Sequence, residues 1–388
     1  PVVVLSNNDG CVVARSAEAK LLGVKAGTPF YQLRQLFPNV RIEALSSNYE
    51  LYGEITGRVM TIIRDMAPQC FRYSIDEAFA ILDGFSVEQL KEWGEELHRR
   101  VLQSVGMPLT IGIAPTKTLA KMASHFAKKY AGYNHCCVID TDDRRLKAAA
   151  LYPIDEVWGI GRRYAARLES YGIRTAYDFA AQSRSWVRAT FKTVVVERTW
   201  AELNGTDCVP DDLPAKKKSI CTSRSFGGMV HDFDTLRTHV ANFAARCAEK
   251  LRKQQSAASI VGVFVESNRF RPDLTQYCNM TEVNLSTPSS STIEVVKAAT
   301  ACLRRIYRED IHYKRAGVVL MGVVPNAAVQ ADLFTFDVEK YQHMMQLDSA
   351  VDRINKVDGT ETVILSSQQY PNGRKFADAI KHDLKSAC

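Results

Sequence analysis

The segment Pro210-Asp-Asp-Leu-Pro-Ala-Lys-Lys-Lys218 constrains this chain more than any other feature. Two prolines, little apolar content and a lysine run leave it nothing to bury, so it reads as a linker. A chain of 388 residues interrupted there cannot close around one core, and about two to four compact units are expected. After the break, residues 219–324 read as strand, helix (234–253), strand (259–266), strand (277–285), helix (292–307) and strand (316–323). This is the β-α-β-β-α-β order of a ferredoxin-like unit. Val240, Phe243, Cys247 and Leu251 recur at helical spacing and predict one buried helix face.

Before the break the chain alternates. Residues 1–45 read as a small α/β unit: a strand at Val2–Ser6, an Asn-Asn-Asp-Gly turn at 7–10, a strand at Cys11–Arg15, then short helices. Residues 49–66 are helical in pattern, 71–82 are two short strands around a break, and Ser86-x-x-Gln89 opens a helix running to about 104. A strand at Leu109–Ile113 and a helix at Thr116–Tyr130 follow, which predicts a mixed sheet with helices packed on it. Residues 138–208 turn almost wholly helical and read as a separate small domain. Residues 325–388 read as a tail with an isolated apolar segment at Thr362–Leu365.

Composition narrows the class. The chain is 46% hydrophobic and 24% charged, and it lacks any apolar run near the roughly 20 residues of a membrane-spanning helix. Ten scattered cysteines contain no C-x-x-C pair, so neither a zinc cluster nor a disulfide framework is expected, and a reducing cytoplasm fits. The opening PVVVLS has neither Met nor a basic segment and is too short for a signal peptide, so the chain reads as cut rather than targeted. A net charge of +7 gives a mild preference for polyanions.

The sharpest chemical feature is Ser74-Ile75-Asp76-Glu77-Ala78, two adjacent carboxylates in an apolar β context. Neighbouring side chains of a regular strand face opposite ways, so both acids can serve one site only if the strand bends or ends there. Two acids so close must hold a proton or be neutralised by a cation, and Mg²⁺ shared with substrate phosphates is the common solution. A solvated acidic pair at a strand end is the plainer reading. Context comes from the helix at 116–130. There Lys117, Lys121 and Lys128 fall within about 40° of one another on the helical wheel, opposite Leu119, Met122 and Phe126. An acidic pair beside a lysine stripe suits metal-assisted chemistry on a triphosphate, although lysine faces are also ordinary solvated faces.

The third feature is Val157-Trp158-Gly159-Ile160-Gly161 followed by Arg162-Arg163 and a helical pattern carrying Ala165, Leu168 and Tyr171. Spaced glycines before a helix let backbone N–H groups approach a phosphate, as in helix-hairpin-helix units that grip the DNA backbone; a plain tight turn is the alternative.

Five motifs in order, GVKAGTPF (23–30), SSNYELYG (46–53), YSIDEAF (73–79), TKTLAKMASHFAKK (116–129) and VWGIGRR (157–163), closely resemble the UmuC type of Y-family translesion DNA polymerases, from Pro1 to about residue 370. The resemblance implies an α+β right-hand polymerase: fingers at 1–45, palm at 46–137, a helix-hairpin-helix thumb at 138–208, a linker at 209–218, a little finger at 219–324 and a tail. It implies Asp76 and Glu77 as catalytic ligands of two Mg²⁺ ions, and Lys20, Tyr73, Ser74 and Lys128 as contacts to the incoming deoxynucleoside triphosphate. Lys117, Lys121, Gly159, Gly161, Arg162 and Arg163 are then contacts to primer-template DNA. Relatives outside the UmuC branch carry a tyrosine and an arginine on the fingers helix; here Ala17 and Lys20 stand there, and only Lys20 keeps a charge.

Gln330-Ala-Asp-Leu333-Phe334 resembles the short peptide by which bacterial polymerases dock on the sliding clamp, a Gln for orientation and a Leu-Phe pair for an apolar pocket. UmuC-like proteins are also expected to need a processed UmuD dimer and a recombinase filament. Family members open with a strand bearing another metal-binding aspartate and then an aromatic that excludes ribonucleotides, here expected within a segment of roughly 20–30 residues upstream of Pro1. The chain as written is therefore expected to bind Mg²⁺ weakly and extend primers poorly, while the full gene product is active. Two other readings compete: a non-catalytic DNA-binding or assembly subunit, which leaves the acidic pair without a use, and another palm-type nucleotidyl transferase such as a cyclase, against which the glycine hairpin and the 219–324 unit argue.

Overall fold

The computed structural model describes residues 1–6, 9–67, 69–211, 216–329, 337–359 and 362–369. The chain forms two compact units, Pro1–Ser47 with Ala215–Cys388, and Asn48–Pro214. The first begins with β1 (Val2–Leu5) and β2 (Val12–Arg15), an antiparallel hairpin, followed by α1 (Ala17–Leu21), α2 (Phe30–Leu36) and β3 (Glu43–Leu45), which pairs with β1 in parallel. Val3, Leu5, Val12, Ala19, Val24 and Leu33 close a small core between these strands and helices.

The second unit runs α3 (Tyr49–Met66), β4 (Cys70–Arg72), β5 (Ala78–Ala80), α4 (Val87–Val105), β6 (Ile111–Ile113), α5 (Lys117–Lys129) and β7 (Cys136–Val138). Five helices follow: α6 (Asp142–Leu151), α7 (Arg162–Ser170), α8 (Ala176–Ala180), α9 (Arg184–Phe191) and α10 (Val194–Leu203). Local signals set several boundaries. Ser86 and Gln89 form the reciprocal capping box read from the sequence, and Gly106 ends α4 in the left-handed conformation. The expected mixed sheet is present as separate three-residue ladders, β4 with β5 antiparallel and β6 with β7 parallel. Gly112 lets β6 run directly beneath α5, since a Cβ there would lie 2.0 Å from the Ala120 carbonyl oxygen.

One apolar cluster joins α5 to the helices after it, from Leu119, Met122 and Phe126 through Leu168 and Phe179 to Leu203. The buried face of α5 is therefore the face opposite its lysines. Glu202 is wholly buried in α10 and accepts from the Thr118 N–H and hydroxyl, both at 2.8 Å, so it caps the first turn of α5 from across the unit.

The C-terminal part of the first unit holds β8 (Ile220–Val230), α11 (Phe233–Lys253), β9 (Ser256–Ser267), β10 (Cys278–Ser289), α12 (Thr292–Ile306) and β11 (Tyr313–Pro325). The element order is the one read from the sequence, and Val240, Phe243, Cys247 and Leu251 are buried. The antiparallel sheet is ordered β10-β9-β11-β8, so the second and fourth strands occupy its centre. A ferredoxin-like sheet would centre the first and third, so this one is its reversed form. The region read as a tail contains a further helix, α13 (Val338–Val357). Arg252 grips its Asp352 with two nitrogens at 2.7 Å, and Asp348 accepts from the Thr292 N–H at the start of α12, which has no side-chain cap of its own. Among the described residues no helix is long and apolar enough to cross a membrane.

Candidate active site

The break predicted between the two strands of 71–82 is the tip of the β4–β5 hairpin. The Tyr73 and Ser74 N–H groups both donate to the Glu77 carbonyl (3.0 and 3.1 Å), and the Arg72 guanidinium donates to the Ser74 and Ile75 carbonyls. This closed tip takes Asp76 and Glu77 out of strand alternation and leaves both exposed. The Ser74 hydroxyl donates to Asp76 Oδ1 at 2.5 Å, and Lys121 Nζ lies 2.8 Å from Glu77 Oε1.

Around Lys121 stand two aromatic rings. Its ammonium is 5.1 Å from the Tyr73 ring centre and 5.6 Å from that of Trp158. The Trp158 indole N–H donates to the Tyr73 hydroxyl at 3.0 Å, and the rings meet edge-on at 5.5 Å. Phe79 completes the aromatic group, 5.6 Å from Tyr73 and 5.9 Å from Trp158. Trp158 escaped the sequence reading as a functional residue; its place directly before Gly159 was the available signal.

The three lysines of the stripe meet different fates. Lys117 turns to the end of the same unit, where Asp211 (2.9 Å) and Asp207 (3.4 Å) pair with it and the Val209 carbonyl accepts from it. Burial works against its charge, but Asp211 and Asp207 outweigh this and hold the ammonium above its usual pKa. With its side chain only 12% exposed, Lys117 is a structural tie rather than an open cation. Lys121 is engaged with Glu77, and Lys128 is exposed with no ion-pair partner among the described residues. Lys20 is exposed on α1 of the first unit.

The glycine hairpin differs from the expected motif in its first arm. Pro153 stops α6, and a single 3-10 turn at Ile154–Glu156 precedes the loop in place of a full helix. Gly159 has φ +89°, and a Cβ on it would lie 2.3 Å from Thr199 Oγ1. Gly161 is the N-cap of α7 without a side-chain cap; Arg162 and Arg163 are exposed in its first turn, whereas Ile160, Ala165 and Leu168 are buried. Tyr171, at the same helical spacing, is 53% exposed and meets Trp186 edge-on. Gln330, Leu333 and Phe334 lie outside the described residues.

Asp76 and Glu77 offer hard oxygen donors open to solvent. Mg²⁺ is commonly held by one or two carboxylates, with phosphates and water completing its shell, so this donor set fits it. Among the described residues no group of three or more His, Cys, Asp or Glu side chains is gathered for a metal.

Comparison with known proteins follows the same lines. The impB/mucB/samB family profile matches residues 1–125, and the C-terminal domain profile of that family matches residues 217–333. The UmuC protein of Salmonella typhimurium strain LT2 is 39% identical over 372 residues, covering 95% of this chain and 87% of that protein. A DNA polymerase IV of Dehalococcoides mccartyi strain BAV1 is 26% identical over 375 residues, 94% of this chain and 90% of its own length. Among solved structures, a Y-family DNA polymerase chimera of Dbh and Dpo4 shares the fold, with a TM-score of 0.63 and 22% identity over 84% of this chain and 92% of that one. The chain belongs to the impB/mucB/samB family, as a UmuC-type member of the Y-family DNA polymerases.

Proposed function

We propose that the protein is a template-directed DNA polymerase that synthesises across damaged DNA, with its chemistry centred on Asp76 and Glu77. The observation that carries this reading is their placement: two exposed carboxylates at a closed hairpin tip, one of them 2.8 Å from a lysine of α5. Membership of a family whose relatives include a DNA polymerase IV supports it, and gives the non-catalytic alternative no advantage.

The reaction is transfer of a deoxynucleotide to a primer 3′-hydroxyl with release of pyrophosphate. Two Mg²⁺ ions, held by Asp76 and Glu77, would neutralise phosphate charge and lower the pKa of the attacking hydroxyl. Ser74 fixes the Asp76 carboxylate through one oxygen, and Lys121 does the same for Glu77, so each keeps an oxygen for a ligand. Lys128 is available to a triphosphate, and Lys20 is the fingers contact expected for it. Arg162, Arg163 and the N–H after Gly161 at the uncapped start of α7 suit the DNA backbone, whose phosphates position without specifying sequence, whereas the N–H after Gly159 is taken by the Val157 carbonyl at 2.9 Å.

By the same reading a processed UmuD dimer and a recombinase filament are partners, and Gln330, Leu333 and Phe334 dock on the sliding clamp; Leu333→Ala with Phe334→Ala should abolish clamp binding. The function itself is tested by supplying the full gene product with a primer on damaged and undamaged templates. Incorporation should follow the template and continue past the lesion; untemplated incorporation, or cyclisation of the nucleotide, would remove the assignment.

A further inference from the structure

We infer that Trp158 is a positioning residue that couples DNA held at the Gly159–Gly161 hairpin to the Glu77 carboxylate, acting through Tyr73 and Lys121. The inference rests on the reading of Asp76 and Glu77 as the metal-binding pair.

Trp158 belongs to two structures at once. Its carbonyl accepts from the Thr199 hydroxyl at 3.2 Å, and the next residue, Gly159, has a backbone conformation and a close approach to Thr199 that admit only glycine. The hairpin and the indole are thus joined at one residue, so a shift of the main chain at Trp158 carries the indole with it. That indole ends on Tyr73, whose own N–H closes the tip onto the Glu77 carbonyl. Both rings also stand over the Lys121 ammonium, the group that holds Glu77 Oε1.

A core-packing role does not account for this. Tyr73 is 49% exposed, and the Glu77 side chain is 48% exposed, so the indole N–H is spent on a solvent-facing phenol at the tip. The ammonium has a chemical reason to be caged: it carries the charge that competes with a cation for Glu77. Held against two π-faces it stays on Oε1 and leaves Oε2 for a ligand. Without Trp158 the ammonium follows Glu77 through its rotamers, and the carboxylate loses its preorganised geometry. Lys117, one turn earlier on α5, is saturated by Asp211 and Asp207 and takes no part.

The test is a coupling measurement, because contiguity alone does not establish transmission. The Mn²⁺ dissociation constant of the full gene product is read by electron paramagnetic resonance with and without primer-template, and no nucleotide. The wild type should bind Mn²⁺ at least about fivefold tighter with DNA present. Trp158→Ala should bring that ratio close to one while the DNA dissociation constant at fixed salt moves less than about threefold, and Tyr73→Phe and Trp158→Phe, which each lose the indole–phenol hydrogen bond but keep a ring beside Lys121, should fall between. Tyr73→Phe removes one exposed hydroxyl and keeps the test sound if Trp158→Ala folds poorly. A ratio of one in the wild type, or an unchanged ratio in Tyr73→Phe and Trp158→Phe, overturns the coupling. Asp76→Asn separates the two layers: synthesis that survives it sinks the metal-pair reading, whereas synthesis lost with the ratio intact in the Trp158 and Tyr73 variants sinks the coupling alone.

Discussion

Truncating Glu202 to Ala removes a wholly buried carboxylate that serves three backbone donors and a hydroxyl: the Thr118 N–H and Oγ1 at 2.8 Å each, the Val209 N–H at 3.1 Å and the Cys208 N–H at 3.4 Å. The hydroxyl can turn elsewhere and the part-buried Cys208 and Val209 N–H groups regain water in part, but the Thr118 N–H cannot, and a stranded buried donor costs about 1–3 kcal/mol. The first turn of α5 also loses the anion that complements its dipole, about 0.3–1 kcal/mol. Together these give a loss of roughly 3–5 kcal/mol for the Asn48–Pro214 unit. At about 2–4 °C per kcal/mol for a unit of this size, the midpoint should fall by roughly 6–20 °C. The chain's four tryptophans, Trp93, Trp158, Trp186 and Trp200, all lie in that unit, so intrinsic fluorescence during heating or urea titration reads it selectively. Glu202→Gln keeps one acceptor oxygen and should lose about half as much. An unfolding free energy for Glu202→Ala within about 1 kcal/mol of the parent would refute the capping role.

Other consequences follow from charge and burial. If Arg162 and Arg163 contact DNA phosphates, Arg162→Ala and Arg163→Ala should each lower the salt dependence of DNA binding by about one unit of slope, while Lys117→Ala, already neutralised by Asp207 and Asp211, should leave the slope unchanged and cost stability instead. Burial pushes the Cys136 thiol up to about 11. A folded-state value raised in this way means the contribution is fully present below the ordinary thiol range and is lost as pH rises through about 11. The urea midpoint of the tryptophan signal should therefore fall above about pH 9, and Cys136→Ala should flatten that fall.

What could be read from the chain was what its neighbours in sequence decide. The Ser86-x-x-Gln89 cap, the two faces of α5 and the strand break at 73–77 depend on residues within a few positions, and each is found in the structure. The element order of residues 219–324 was legible for the same reason. Its sheet order was not, because pairing β11 with β9 joins segments whose proximity no local pattern specifies. Glu202 looks like an ordinary helix-surface acid until Thr118, 84 positions away, is brought to it. Lys117 read as one of three equivalent lysines because its acidic partners lie beyond α10. α13 carried a signal, Tyr341, Met344, Leu347, Val351 and Ile354 at helical spacing, that its charge-rich surroundings obscured. The acidic pair stood out by its chemistry, whereas its tie to Trp158 spans 85 positions and needed the fold.

If Asp76 and Glu77 carry nucleotidyl transfer, losing one of them must strike chemistry and spare DNA binding. Single-nucleotide incorporation by Asp76→Asn in the full gene product, alongside the affinity of the same variant for primer-template, reads both. Substituting an amide for the carboxylate should reduce incorporation by about a hundred- to a thousandfold, the scale seen when a preorganised group at a reacting centre is removed, with DNA affinity within about threefold of the parent. Incorporation at the parental rate by a variant that binds DNA normally would show that the acidic pair does not hold the catalytic metal.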